Sequence, residues 1–185
     1  NSYDYHYQIF NANGHEVGQC GNGARCAAHY IRHHLKPQIQ HIHLKTHNTH
    51  IELQFLAEGI QMQLPCPIRS PKAIPLNRDS EQDTYLFHLQ DGSQQSLHVI
   101  GVGNPHAIVQ VKDIHHIDIQ YLGPLIENHP DFPEKCNVNF MQILNPSEIA
   151  LRVWERDCGE TLACGSGALA TAAAGRLFHN MQSSI

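Results

Sequence analysis

Across residues 39–64 apolar and polar positions trade places every second residue. Ile42 and Leu44 alternate with His41, His43 and Lys45, and Ile51, Leu53 and Phe55 alternate with Glu52 and Gln54. Ala57-Glu58-Gly59 then turns the chain, and Ile60, Met62 and Leu64 carry it back. A period of two places one set of side chains on a single sheet face, so this stretch predicts an antiparallel meander. Tyr5, Tyr7 and Ile9 alternate with His6, Gln8 and Phe10 and predict an earlier strand, closed by a turn at Asn11-Ala12-Asn13-Gly14. Between them the period changes. Ala24, Ala27, Ala28, Ile31 and Leu35 share one helical face, and Pro37 ends that helix.

Pro65, Pro67, Pro71 and Pro75 crowd the next interval. Proline interrupts both helix and ladder hydrogen bonds, so the expected division is an N-terminal domain over residues 1–66, a proline-rich linker over 67–80 and a C-terminal domain over 81–185. Beyond the linker, Asp91-Gly92 between two apolar runs signals a hairpin. Gly103-Asn104-Pro105-His106 leads into a strand over 107–111, residues 119–128 form a short helix, and strands over 138–144 and 149–154 flank Asn145-Pro146-Ser147-Glu148. An alanine-rich helix over 168–178 follows, its small residues suited to close packing on strands.

Composition narrows the class. With 185 residues, 41% hydrophobic and 16% charged, the chain reads as globular. A formal charge of -5 without a Lys/Arg cluster argues against nucleic acid, and no apolar run reaches the roughly 20 residues of a membrane helix. The sequence opens Asn1-Ser2-Tyr3-Asp4, without an initiator Met or a signal-peptide layout, and is expected to begin partway into a larger protein. Six cysteines without a Cys-x-x-Cys pair or zinc spacing are expected to be free thiols in a reducing cytoplasm. Sixteen histidines, including His41 and His43 on one strand face, lack ligand spacing and read as a solvated surface, so no metal is expected.

One local pattern occurs twice. Gln19-Cys20-Gly21-Asn22-Gly23-Ala24 and Ala163-Cys164-Gly165-Ser166-Gly167-Ala168 each open an alanine-rich helix. Glycines let backbone N–H groups approach a ligand, and a helix N-terminus offers unpaired donors and a positive dipole end to a carboxylate or phosphate. The same field is expected to lower a thiol pKa. Two such cysteines, in a duplicated fold that sets them across a cleft, suit inversion of a stereocentre. One takes a proton from one face of an α-carbon and the other delivers a proton to the opposite face.

These boxes, with Asn11-Ala12-Asn13-Gly14, Gly103-Asn104-Pro105-His106, Phe132-Pro133 with Asn137, and Trp154-Glu155-Arg156, resemble the diaminopimelate epimerase family in order and spacing over nearly the whole chain. The resemblance implies an α+β fold of two pseudo-symmetric domains, each a mostly antiparallel, barrel-like sheet wrapped on a central helix. It implies a cofactor-independent epimerase interconverting LL- and meso-diaminopimelate, with Cys20 and Cys164 as the acid/base pair. His106 and Glu155 would support them. Asn11, Asn104, Asn137, Glu155 and Arg156 would hold the substrate, and Gly21-Asn22 and Gly165-Ser166 would cradle its α-carboxylate. A homodimer is left open. Asn13 and Asp157-Cys158 depart from the family pattern. The family's N-terminal stretch and closing C-terminal strands have no counterpart here, so both domains are expected to be incomplete and the chain weakly active or inactive.

Two other readings stand beside this one. A proline racemase or hydroxyproline epimerase uses the same paired cysteines, although the Glu155-Arg156 pair has no partner on a prolyl ring. A non-catalytic β-rich module could instead join its two thiols as a redox disulfide. Cys26, Cys66, Cys136 and Cys158 read as packed thiols without a catalytic role.

Overall fold

The computed structural model describes residues 2–10, 14, 16, 18, 20–47 and 49–182. They form two compact units, Asn1–Leu64 and Pro65–Ile185.

The first unit is a four-stranded sheet in the order β1-β2-β3-β4, made of Tyr5–His6, His41–Lys45, His50–Phe55 and Ile60–Met62. β2, β3 and β4 form the expected antiparallel meander, in a register that pairs Leu44 with Ile51 and Leu53 with Met62. The alternation is strict, because Ile42, Leu44, Ile51, Leu53 and Phe55 are buried while the residues between them face outward. Helix α1, Gly21–Tyr30, lays Ala24 and Ala28 onto that apolar face, and a π-helical turn over Ile31–Leu35 adds Ile31. The strand expected over residues 5–10 is shorter than its pattern. Tyr5, Tyr7 and Ile9 are half-buried and their neighbours exposed, but only Tyr5–His6 joins the ladder, parallel to β2. Period two records which face is covered; it does not record how far the backbone stays paired. The turn expected at residues 11–14 lies outside the described residues except for Gly14, whose φ of 81° suits a glycine turn.

The second unit is a six-stranded sheet in the order β10-β9-β8-β7-β6-β5. Its strands are β5 Tyr85–His88, β6 Gln94–Gly101, β7 Pro105–Gln110, β8 Asn137–Asn145, β9 Glu148–Glu155 and β10 Gly159–Thr161. All neighbours are antiparallel except β7 and β8, which run parallel with His106 opposite Asn137 and Ile108 opposite Asn139. Parallel neighbours require a crossover, and helix α2, Ile119–Glu127, lies within it. Asp118 caps α2 by accepting from the Tyr121 N–H at 3.1 Å. Helix α3, Gly165–Phe178, packs on β6, β7 and β8. Ala170 and Ala174 are fully buried, which is how an alanine-rich face brings a helix axis close to a sheet. Covered on both sides, β7 and the first half of β8 are continuously buried instead of alternating.

The interval expected as a linker is packed onto this second unit. Pro71–Ala73 forms a 3-10 turn, Ile68 bridges to Gly101, and Ile74 and Leu76 are buried in the sheet's core. Proline removes ladder donors, yet an irregular segment can still bury the apolar side chains between its prolines. Among the described residues, no helix is long and apolar enough to cross a membrane.

Candidate active site

Each Cys-Gly box builds the start of a helix. In the first unit Cys20 is the N-cap of α1, extended at φ −147° and ψ 101°. Its Sγ accepts from the Gly23 N–H at 3.4 Å and its carbonyl from the Ala24 N–H at 2.9 Å. The thiol replaces the usual hydroxyl or carboxylate cap, and Gly21 and Asn22 form the first turn behind it. Tyr7 arches over this turn: a methyl group at Gly23 would meet its Oη at 2.3 Å and the Cys20 Sγ at 3.4 Å. Burial, reinforced by the negative charge that Cys20 and Cys26 can carry, pushes the Tyr7 phenol up to about 12, so it stays a protonated donor.

In the second unit Cys164 is the N-cap of α3, at φ −133° and ψ 114°. The Ser166 Oγ lies 3.5 Å from its Sγ, and Gly165 opens the helix. The lowered pKa expected for a thiol at a helix start is not found here. Burial pushes the Cys164 thiol up and the nearby Glu155 carboxylate adds to the rise, against the opposing hydrogen bonds of Ser166 and Gly167. Desolvation disfavours the thiolate more than the helix end favours it. Glu155 ends β9 and accepts from the Thr161 hydroxyl at 2.6 Å, which fixes its carboxylate beside the box.

The remaining polar residues come from β7, β8 and the turn after β9. Asn104, half-buried, precedes β7 with Gly103 at φ 76°, and its Oδ1 lies 3.0 Å from His106 Nε2. His106 is fully buried; burial, with the Arg156 charge acting in the same direction, lowers its pKa to about 3 and keeps the ring neutral. Asn137, expected to touch substrate, is 3% exposed and already committed. Its Nδ2 donates to the Pro105 carbonyl at 3.2 Å and its Oδ1 accepts from the Arg156 N–H at 3.0 Å, so it clamps the Asn104 turn to the Arg156 turn. The Arg156 guanidinium donates to the Glu134 carbonyl at 2.8 Å. Buried Glu127 secures the same turn, accepting from Trp154 Nε1 at 2.7 Å and from the Asp157 N–H at 2.8 Å, with Asp157 held at φ 59°. The second unit thus gathers Cys164, Ser166, Glu155, Arg156, His106, Asn104 and Asn137 around one end of α3. The first unit holds Cys20, Gly21 and Asn22 at the start of α1, and Asn11 lies outside the described residues.

Sequence reasoning missed Tyr7, Glu127 and Asn139. Asn139 is fully buried on β8 with its Nδ2 3.1 Å from His106 Nδ1. Its signal was present: Asn137 and Asn139 alternate with Val138 and Phe140 on a strand covered on both faces, where amides are costly unless they serve something. Three cysteines expected to be packed are not. Cys26, Cys66 and Cys158 are exposed, while Cys136 is buried with its thiol pKa well above the ordinary value; none of the six cysteines is joined in a disulfide. Cys26 lies on the exposed face of its helix, Cys66 in an irregular stretch and Cys158 in the turn after β9.

The diaminopimelate epimerase family model matches residues 98–184. A diaminopimelate epimerase of Legionella pneumophila is 45% identical over 183 residues, covering 98% of this chain and 66% of that protein. Those of Coxiella burnetii and Thioalkalivibrio sulfidiphilus are 43% and 42% identical, covering 95% and 94% of this chain and 64% and 63% of theirs. Among solved structures, a phenazine biosynthesis protein of the PhzF family from Bacillus anthracis superposes with a TM-score of 0.58 at 14% identity, covering 93% of this chain and 61% of that one. A PhzF-family protein from Enterococcus faecalis gives 0.54 at 12% identity, covering 95% and 63%. These two carry the fold alone. The chain belongs to the diaminopimelate epimerase family, and it spans 66% or less of the length of these relatives.

Proposed function

We propose that this member of the family interconverts LL- and meso-2,6-diaminopimelate without a cofactor, by a two-base mechanism in which Cys20 and Cys164 serve opposite faces of the substrate α-carbon. The observation that carries the reading is the matched placement of the two cysteines, each the N-cap of a helix, where the dipole is positive. A positive helix end suits an α-carboxylate and the extra charge it takes up as the α-proton leaves.

In each turnover a thiolate accepts the α-proton and the electron pair passes into the carboxylate. The second thiol then gives its proton to the opposite face of the carbon. The buried Cys164, its pKa raised, suits the protonated partner at rest. Arg156 suits the distal carboxylate, Glu155 an ammonium group, and the Asn104 amide a carboxylate oxygen. Asn137 is better read as a clamp on the Arg156 backbone than as a direct contact.

The test is incubation with each stereoisomer of diaminopimelate, and separately of proline, in deuterated water. Slow entry of deuterium into the α-position of diaminopimelate as LL and meso forms equilibrate, with proline untouched, is the expected result. Exchange on proline alone would overturn the substrate assignment, and exchange on neither would overturn the reading.

A further inference from the structure

The hydrogen bonds around His106 determine which ring nitrogen carries its proton. Asn139 Nδ2 lies 3.1 Å from His106 Nδ1. A carboxamide nitrogen donates and never accepts, so Nδ1 is the bare nitrogen. On the other edge of the ring, His106 Nε2 lies 3.0 Å from Asn104 Oδ1, which accepts and never donates. Nε2 therefore carries the hydrogen. Two independent bonds give one tautomer.

The orientation of the Asn139 amide has its own cause. Its Oδ1 is buried without a hydrogen-bond partner, and it rests against Gly167, 2.5 Å from where a Cβ would stand. Gly167 lies in the first turn of α3, where the dipole is positive. A carbonyl oxygen is stabilised there; an amide NH2 group would be repelled. Turned this way, Asn139 has only its Nδ2 left for His106.

We infer that Asn139 is a positioning residue that passes the polarity of the α3 N-terminus through His106 to Asn104, so that Asn104 keeps its Oδ1 on the ring and presents its Nδ2 as a donor. That the donor meets a substrate carboxylate rests on the proposed function; the tautomer and the amide orientations do not. Burial keeps the His106 ring neutral, so one of its nitrogens is bare and can accept.

The test uses the whole chain labelled with 15N at histidine, with His106 assigned by its loss in His106→Gln. Long-range proton–nitrogen correlation spectra are expected to show a protonated Nε2 and a bare Nδ1, unchanged from about pH 7 to about pH 5. Asn139→Asp offers Nδ1 an acceptor and is expected to move the proton onto it. In that variant Asn104 must turn its amide, and diaminopimelate affinity should fall roughly tenfold. A wild-type ring protonated on Nδ1, or a ring pattern unmoved in a folded Asn139→Asp chain, would overturn the inference. If Asn139→Asp does not fold, the wild-type spectrum alone decides. A chain inert toward diaminopimelate would count against the proposed function and leave the spectral result standing.

Discussion

Cys20 and Cys164 hold the same position on their two helices. Each is an N-cap in extended conformation, and each carbonyl accepts the N–H four residues ahead at 2.9 Å. Their surroundings differ. Cys20 is half-buried, whereas Cys164 is buried beside Ser166 and the Glu155 carboxylate. Equivalent backbones in unequal environments suit a pair in which one thiol starts as acceptor and the other as donor.

Replacing either cysteine should therefore abolish inversion. Cys20→Ala and Cys164→Ala are each predicted to lower turnover by at least on the order of a thousandfold, and the serine variants to retain only slow chemistry. Measurement of stereoisomer ratios against time checks this, and full turnover in either alanine variant would defeat the two-base scheme.

The thiols should also sort by reactivity. Cys26, Cys66 and Cys158 are exposed and are predicted to react first with an aromatic disulfide reagent near neutral pH. Cys164 should lag, because burial and a raised pKa both suppress its thiolate, and Cys136 should react only on unfolding. Mass spectrometry of partly labelled protein gives the order; early labelling of Cys164 would contradict the environment described.

Gly167 and Gly165 make a controlled comparison. A Cβ at Gly167 would stand 2.5 Å from Asn139 Oδ1 and 3.3 Å from the Cys164 Cβ, while one at Gly165 meets nothing within 4 Å. Gly167→Ala is predicted to cost about 1–3 kcal/mol and to disturb the Cys164 box, whereas Gly165→Ala should be neutral or stabilising by roughly 0.5–1 kcal/mol. Urea unfolding of the two variants tests the contrast, and equal losses would refute it.

Acid should destabilise the second unit through its buried imidazoles. In the unfolded chain His106 takes up a proton near pH 6.5, but in the folded chain not until about pH 3. Between these values the unfolded state binds the extra proton, so stability falls as pH falls, by about 1.4 kcal/mol per pH unit once well below 6.5. His179, lowered by burial and by the charge of His98 2.9 Å away, pulls in the same direction. Denaturant midpoints from pH 7 to pH 5 should drop, and less steeply in His106→Gln; identical slopes would remove His106 from the account.

Trp154→Phe tests the anchor beneath the Arg156 turn. The indole N–H donates to buried Glu127, and phenylalanine would leave that carboxylate oxygen unpaired, at a predicted cost of about 1–3 kcal/mol. Faster amide exchange at Asp157, whose N–H binds the other Glu127 oxygen, should accompany it. An unchanged exchange rate would show that the turn does not depend on Glu127.

The elements that could be read from the sequence are those whose cause is local. The meander over β2, β3 and β4 follows from a two-residue period, and the starts of α1 and α3 follow from a cysteine cap, glycines and alanines. Pairing between distant strands leaves no such trace, so the parallel partners β1 with β2 and β7 with β8 could not be foreseen from their own residues. The same limit applies to Asn137. Its type and place in a motif marked it as polar and important, but its two hydrogen bonds depend on strands that meet only in the fold. The proline-rich interval misled for a related reason, since what packs Ile74 and Leu76 is a core built by later residues.

The parallel pairing of β7 with β8 also sets an order of events. His106 and Asn139 are 33 residues apart in the chain, and they meet only when the crossover containing α2 has closed and β8 has docked. Contacts across such a separation come late on a folding route, after the entropy of closing the loop has been met. A half-formed second unit would therefore carry Cys164 with neither a fixed imidazole tautomer nor a clamped Arg156 turn beside it. The neighbours that surround Cys164 at this end of α3 are assembled only when the topology is complete.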